Sequence, residues 1–139
     1  KKIVINLQKQ TMHCFEGSHE VHFCEVSTGY VREGVWLTPV ETTPVWRKMI
    51  SLHMSAGGVY QYDSPGIAWT VLYHSSGQAI HSVYWHNNFG VALSHGCINC
   101  LPHDAKWVYR WVNPFVPLYP GELTVRDSSN STFVQVIES

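Results

Sequence analysis

A histidine and a cysteine in the second half of the chain have the types and spacing of a nucleophile and its base. His81 closes an apolar, strand-like stretch, and Cys97 follows sixteen residues later within Ser-His-Gly-Cys-Ile-Asn, residues 94–99. An imidazole that takes the thiol proton and stabilises the thiolate makes cysteine a strong nucleophile. The loop between them is rich in Asn and Gly and is long enough to bring the two side chains together. The pair therefore predicts nucleophilic cysteine catalysis.

The glycine directly before this cysteine adds a second element of catalysis. Gly96 lets the backbone turn so that its own N–H and the N–H of Cys97 can point at one spot. Two N–H groups aimed at a developing negative charge form an oxyanion hole. The sequence therefore predicts that Gly96 belongs to the catalytic machinery.

These residues resemble the signature of the L,D-transpeptidase catalytic domain, in which a histidine precedes the cysteine of such a motif. The stretch from Ile80 to Gly90 is similar to the active-site lead-in of some bacterial members. The similarity extends over nearly the whole chain, through Ile3 to Gly29, Thr38-Pro39, Arg47-Lys48, and the segment with Asp104-Ala105 and Trp107. Two positions depart from the family pattern: Glu41 replaces the glycine of a Thr-Pro-x-Gly turn, and Cys100 replaces an apolar residue.

The resemblance implies a bacterial, metal-independent cysteine acyltransferase of peptidoglycan, without a cofactor, that works in the periplasm, in the cell wall or as a secreted protein. Members attack the bond between the third and fourth residues of a stem tetrapeptide and form a thioester. They then pass the acyl group to an amine on another stem or on a protein, with L,D-carboxypeptidase hydrolysis as a side activity. Carbapenem-type β-lactams are the covalent inhibitors that the resemblance implies. We expect a monomer that contacts stem peptides and neither binds nucleic acid nor inserts into a membrane.

Carried over residue by residue, the resemblance assigns Cys97 as the nucleophile and His81 as the general base. The backbone carbonyl of Ser82 would orient His81, and His95 would shape the site beside the nucleophile. A further set of residues is expected to contact the substrate: Asn99, Tyr84, Trp85, His86 and Asn88. His86 is also a rival candidate for the base.

The same cysteines allow other interpretations. Cys97 and Cys100 form a C-x-x-C pair, but a thioredoxin-like enzyme needs a strand before the pair and a helix that opens on its first cysteine. His95, Cys97, Cys100 and His103 have the compact spacing of metal ligands, to which Cys14 and Cys24 could add. A non-catalytic wall-binding or zinc-stabilised module is therefore the alternative to an enzyme.

Cys14 and Cys24 flank a turn between two predicted strands. They are either two small buried apolar side chains or a cross-strand disulfide, which needs Cα atoms within about 7 Å. The strand register decides between these two, and the sequence leaves it open.

Short alternating segments position these residues. The pattern predicts strands over residues 3–7, 11–15, 20–27, 45–54, 68–74, 78–83, 122–126 and 132–137. Residues 38–44 are too rich in proline for a central strand, and residues 55–58 and 63–66 mark a loop. One helix is predicted from Pro102, with Asp104 near its positive end and Asn113-Pro114 as its stop. This order predicts a mainly β fold, a sandwich or barrel-like arrangement with one main α-helix after Cys97.

Length and composition agree with one domain over residues 1–139. The chain is 45% apolar, which suits a packed core, and only 14% charged. Its formal net charge of -1 excludes the basic field that nucleic acids or anionic membranes require. Nine histidines and four cysteines are the unusual feature. The first residues lack the apolar segment of a signal peptide, so either the protein is cytosolic or a signal or extra domain lies upstream of this chain. The family resemblance favours the second alternative.

Overall fold

In the computed structural model, the described residues form two open five-stranded β-sheets, one two-stranded sheet and one helix. The structure describes residues 1–56, 62–83, 86–117 and 121–139, and omits the side chains of residues 52–56 and 62–66. In chain order the elements are β1 (Lys2–Asn6), β2 (Thr11–Glu16), β3 (His19–Glu25), β4 (Val31–Arg32), β5 (Val35–Trp36), β6 (Thr42–Pro44), β7 (Arg47–Ala56), β8 (Tyr62–Leu72), β9 (Ala79–Ser82), β10 (Ile98–Cys100), α1 (Pro102–Trp111), β11 (Glu122–Thr124) and β12 (Phe133–Ile137).

Each large sheet contains five strands and one parallel pair. The first sheet has the order β3-β2-β1-β12-β6, in which β1 and β12 run parallel. The second has the order β10-β9-β8-β7-β11, in which β9 and β10 run parallel. A small hairpin of β4 and β5 stands apart from both. The mainly β class is thus confirmed, with two open sheets rather than a closed barrel.

Alternation of apolar and polar residues explains which side of the first sheet faces inward. In β1 the side chains of Ile3 and Ile5 are fully buried, and in β2 those of Met12 and Cys14 are. Successive side chains of a strand point to opposite faces, so each strand contributes every second residue to the core. The main core also receives apolar residues from β9, β10 and α1, which ties the second sheet to the first.

The helix agrees with its predicted position. It begins at Pro102, places the buried Asp104 in its first turn and buries Ala105 and Val108 on one face. The fully buried side chain of Lys48, on β7, holds the other end of the helix. Its Nζ donates to the carbonyl oxygens of Val112 at 2.9 Å and Pro114 at 2.7 Å. A cation at this end complements the helix dipole.

Three segments differ from the sequence prediction or refine it. Residues 63–66, expected in a loop, belong to the long strand β8, because pairing with β7 continues through them. Ile98 to Cys100, which the predicted strands do not include, form the short strand β10, which pairs with β9. The proline-rich segment contributes β6, which lies at a sheet edge, where proline is tolerated.

Candidate active site

The parallel pairing of β9 and β10 determines how the predicted nucleophile and base meet. Ile98 lies opposite Ile80, and Asn99 lies opposite His81. Cys97 directly precedes β10 and packs on Ala79, the residue two before His81 in β9. Residues two apart on a strand share a face, so Cys97 and His81 are diagonal neighbours on one face. This register brings together two side chains that are sixteen residues apart.

His81 is built as a neutral base. Its side chain is buried, and its Nδ1 lies 2.7 Å from the carbonyl oxygen of Ser82. A carbonyl can only accept a hydrogen bond, so Nδ1 carries the proton and Nε2 keeps its lone pair. Burial lowers the pKa of His81 to about 4, although the bond to Ser82 opposes that shift. At neutral pH the ring is therefore uncharged and can accept a proton.

Cys97 is a protonated thiol in the resting site. It is partly exposed, whereas the other three cysteines are buried. Burial of the sulfur raises the pKa of Cys97 to about 11, and a hydrogen bond with the backbone of Ala79 partly offsets the rise. The sequence interpretation had His81 stabilising a thiolate. The structure instead gives a neutral thiol beside a neutral imidazole, because burial disfavours both charged forms.

The turn before the nucleophile is held by Ser94. Its hydroxyl accepts the N–H of Gly96 at 3.1 Å and donates to the carbonyl oxygen of Cys97 at 2.5 Å. Gly96 has a φ of +140°, a backbone conformation that residues with a side chain rarely adopt. The N–H of Gly96 is thus engaged with Ser94, which differs from the expected pair of oxyanion donors.

A threonine outside the motif fixes the position of Gly96. The fully buried Thr38 donates its hydroxyl proton to the carbonyl oxygen of Gly96 at 2.8 Å and accepts the N–H of Gly29 at 2.8 Å. A Cβ on Gly29 would lie 2.9 Å from the Cα of Gly96 and from Leu37. We call Gly29, Thr38 and Gly96 the glycine clamp. The family resemblance had covered Gly29 and Thr38 but had given neither a role at the site.

The segment that follows β3 also anchors the active-site loop. Ser27 exchanges two backbone hydrogen bonds with Asn99, at 2.8 and 3.0 Å. Its hydroxyl donates to the carbonyl oxygen of Val91 at 2.6 Å. The loop before the nucleophile is therefore held by contacts some 65 residues back along the chain, which local pattern cannot reveal.

Three of the expected substrate-contacting residues lie together. Nδ1 of His86 accepts the N–H of Asn88 at 3.1 Å, and its Nε2 lies 3.4 Å from the side-chain nitrogen of Asn99. His86 thus bridges the loop to β10, and these contacts involve both of its ring nitrogens. His95 is exposed and meets the ring of Tyr30 edge-on. Tyr84 and Trp85 lie outside the described residues.

Tyr73, one of the aromatic residues that the sequence offers as a wall of the cleft, lies close to Cys97. Tyr73 is almost fully buried, and its hydroxyl has no hydrogen-bond partner within the described part of the chain. Burial raises the pKa of Tyr73, and the nearby Cys97 adds to the rise. The phenol therefore stays protonated, next to the region where the thiol reacts.

The alternation of side chains along β10 separates Cys97 from Cys100. Cys97 packs with Met49 and Leu72, whereas Cys100 is buried in the main core, behind the strand. The two thiols of the C-x-x-C pair therefore face opposite ways, which contradicts both the thioredoxin-like interpretation and a metal site that includes both. His103 is also exposed.

The cross-strand disulfide is not formed, since Cys14 and Cys24 are both free thiols. Cys14 lies opposite His22, and Cys24 lies opposite Met12. The two cysteines are thus diagonal neighbours, with Cα atoms about 7–8 Å apart in an ordinary sheet. That separation exceeds what a disulfide spans without backbone movement.

Comparison with known families identifies the family to which this chain belongs. Residues 1–128 match the family model YkuD, described as the L,D-transpeptidase catalytic domain. The match covers most of the 139 residues, and the chain therefore belongs to the L,D-transpeptidase catalytic-domain family. The resemblance seen in the sequence is thereby confirmed. No curated protein matches the sequence.

Solved structures share this fold. The NMR structure of the catalytic domain from the Enterococcus faecium L,D-transpeptidase is 22% identical with a TM-score of 0.71, over 98% of this chain and 95% of that one. L,D-transpeptidase LdtMt1 in complex with imipenem is 21% identical with a TM-score of 0.74, over 97% and 57%. L,D-transpeptidase 3 from Mycobacterium tuberculosis, with a faropenem-derived adduct, is 23% identical with a TM-score of 0.67, over 98% and 59%. The chain thus spans little more than half of the two longer proteins. Within the described residues, no helix is long and apolar enough to cross a bilayer.

Proposed function

We propose that this chain is a single catalytic domain that acts outside the cytoplasm on peptidoglycan stem tetrapeptides and transfers their acyl group through a thioester on Cys97. The observation that carries the proposal is the diagonal placement of a partly exposed Cys97 beside a buried, neutral His81 across β9 and β10. Membership in the L,D-transpeptidase family supports the same chemistry.

Acylation begins as one coupled step. Nε2 of His81 takes the thiol proton while the sulfur of Cys97 attacks the carbonyl carbon of the third stem residue. The N–H of Cys97 donates to the oxygen as it gains negative charge. The tetrahedral intermediate then collapses, the C–N bond to the fourth residue breaks, and His81 gives its proton to the departing amine. The products are a thioester and a free D-amino acid.

Deacylation returns the enzyme to its starting state. An acceptor amine attacks the thioester carbon, His81 takes the amine proton, and the C–S bond breaks to release the thiolate of Cys97, which takes that proton from His81. An amine on a second stem produces a cross-link between the third residues of two stems, and an amine on a protein attaches that protein. Water in place of the amine yields the L,D-carboxypeptidase product.

The remaining site residues position the reacting groups in this proposal. The carbonyl of Ser82 orients His81, and Gly96 places the nucleophile on its turn. His95 lines the exposed approach beside Cys97. The joined side chains of His86 and Asn99, together with Asn88, Tyr84 and Trp85, contact the stem peptide.

The direct test uses purified disaccharide-tetrapeptide. We expect mass spectrometry to show a loss of D-alanine together with a cross-linked dimer or a hydrolysed tripeptide. The ratio of dimer to tripeptide reports which acceptor reaches the thioester. Neither product should form with Cys97→Ala.

A covalent probe tests the nucleophile separately from the substrate. A β-lactam is a strained amide that a thiol with a base can open. Incubation with imipenem should add one drug equivalent per chain, as seen by intact mass. Cys97→Ala should abolish the adduct, whereas the matched variant Cys14→Ala, in a buried strand, should keep it. An adduct on Cys97→Ala, or no adduct from several carbapenems on reduced protein, would favour the non-catalytic module.

A further inference from the structure

A second group of reactive side chains lies behind the active-site strand. His22 and Cys24 belong to β3, and Asp104 belongs to the first turn of α1. One ligand atom from each, the imidazole nitrogen, the thiol sulfur and a carboxylate oxygen, lies within 4.8 Å of the other two. Nε2 of His22 is already 2.9 Å from Oδ1 of Asp104. Residues from distant parts of the chain thus converge on one point.

A fourth side chain, Cys100, borders this group on the side of Cys24, although its sulfur lies outside the 4.8 Å limit that the other three ligand atoms meet. The thiol of Cys100 lies within hydrogen-bonding reach of the thiol of Cys24. Cys100 ends β10, so the four residues join the first sheet, the second sheet and the helix. A site with two sulfurs, one imidazole and one carboxylate is the donor set that a borderline-soft divalent ion such as Zn²⁺ prefers.

The geometry requires only a small contraction to hold an ion. Metal–ligand bonds of about 2.0–2.3 Å in a tetrahedral site place ligand atoms roughly 3.5 Å apart. For His22, Cys24 and Asp104 the present upper limit of 4.8 Å therefore calls for side-chain shifts of about 1 Å, and the thiol of Cys100 must turn toward them to become the fourth ligand. The ring of Trp107 stacks on His22 with centroids 4.2 Å apart, which holds the imidazole in its orientation.

The surroundings also suit an ion with a negatively charged ligand set. Asp104 is buried in the first turn of α1, at the positive end of the helix dipole, which stabilises its ionised carboxylate. Nε2 of His103 approaches its second oxygen, Oδ2, at 3.4 Å, so the carboxylate has an outer partner. The His22 side chain is 20% exposed, which leaves a route for the ion from solvent.

We propose that His22, Cys24, Cys100 and Asp104 form a structural site for a zinc-class divalent transition metal ion. On binding, the ion takes the place of the thiol protons of Cys24 and Cys100 and of the hydrogen bond between His22 and Asp104. Cys97 lies on the other face of β10, so the site is separate from the nucleophile and does not rest on the proposed function. This structural site is additional to the metal-independent catalysis that the family resemblance implies.

The test measures metal in the intact chain. The protein is purified without chelator and under reducing conditions, and its metal content is measured by elemental mass spectrometry. We expect one equivalent of zinc per chain. Exchange with Co²⁺ should produce a thiolate-to-cobalt charge-transfer band and the visible bands of tetrahedral cobalt. Removal of the ion by a chelator should lower the midpoint of thermal unfolding.

Matched variants locate the ion. His22→Gln and Cys24→Ser should lose the zinc and the cobalt bands. His13→Gln removes the histidine of a His–Glu pair elsewhere in the same sheet, and Cys97→Ala removes the proposed nucleophile, so both variants should keep the metal. If the ligand variants fail to fold, the wild-type measurement decides. A metal-free chain with four titratable thiols, or a disulfide between Cys24 and Cys100 under non-reducing conditions, would overturn the proposal.

Discussion

Burial shifts the protonation of Cys97 and of His81 in opposite directions. The pKa of the thiol rises to about 11, and the pKa of the imidazole falls to about 4. In a thiolate–imidazolium pair, the proton has already moved from the sulfur to the imidazole before the substrate arrives. In this site both groups are neutral, so the proton moves only during the attack. In the proposed mechanism His81 therefore acts during the reaction, as a general base, rather than by holding a preformed thiolate.

This difference predicts the pH profile of Cys97. Iodoacetamide reacts with the thiolate, so its rate with Cys97 should keep rising with pH through neutrality and level off only near pH 11. The rate is measured by quenching the alkylation after a series of set times and quantifying modified Cys97 by peptide mapping. A plateau already reached near pH 7 would show instead that an ion pair is present.

Replacement of the base should separate two reactions of the same sulfur. His81→Ala should slow acylation by imipenem at pH 7 by roughly 10²- to 10⁴-fold, because the proton has no acceptor during the attack. Alkylation at high pH does not need the base and should be nearly unchanged. His74→Ala, which removes a histidine paired with Glu41 outside the site, serves as the control for both rates. Equal acylation by His81→Ala and His74→Ala would remove His81 from the mechanism.

At the scale of elements, the glycine clamp fixes the position of Gly96, the residue directly before Cys97. Gly29→Ala would force a Cβ into space that Gly96 and Leu37 occupy at 2.9 Å. We expect imipenem acylation to fall by about 10²-fold, because a displacement of about 1 Å at a reacting group has that effect. Gly17→Ala is the control, since its Cβ would meet open space in the turn between β2 and β3. That variant should lose about 1 kcal/mol of stability from its positive φ and keep its acylation rate.

The buried lysine of β7 gives a second prediction at this scale. Lys48→Met would leave the carbonyls of Val112 and Pro114 without their charged donor and remove the cation over the Tyr109 ring, 4.9 Å away. We expect a loss of roughly 2–4 kcal/mol in the free energy of unfolding, measured by urea titration. Lys106→Met removes an exposed lysine over Trp69 and should cost less than about 1 kcal/mol. Similar losses in both variants would contradict the anchoring role of Lys48.

For the whole molecule, the buried base has a consequence for acid stability. The unfolded chain binds a proton at His81 below about pH 6.5, and the folded protein binds it only below about pH 4. The contribution of His81 to stability is therefore complete above pH 6.5 and is lost as the pH falls through this window. Between pH 7 and pH 4.5 the loss should be roughly 2.5 kcal/mol.

Urea unfolding at both pH values measures this effect. His81→Gln removes the titrating group, so the decrease in its unfolding free energy should be smaller than that of the wild type by about the same 2.5 kcal/mol. The carboxylates and the other histidines titrate equally in the two proteins, so their contributions to the change in unfolding free energy cancel in the comparison. Parallel decreases would mean that His81 titrates normally in the fold.

The sequence by itself determined those features that depend on neighbouring residues. Alternating patterns located most strands, and Pro102 with Asn113-Pro114 marked both ends of the helix. The spacing of His81 and Cys97 was enough to indicate the chemistry, because a motif and its spacing are local properties. The family resemblance rested on the same residues.

Tertiary structure alone decided the features that depend on strand register and on distant contacts. Three residues are too few to show a period, so β10 became visible only through its pairing with β9. That register placed Cys97 and Cys100 on opposite faces, although the sequence shows them as one pair. The packing of the sheets and the helix brought Asp104 to His22 across 82 positions, and Thr38 to Gly96 across 58. Such contacts form because whole sheets pack to bury their apolar faces, and no short segment contains the information that brings them together.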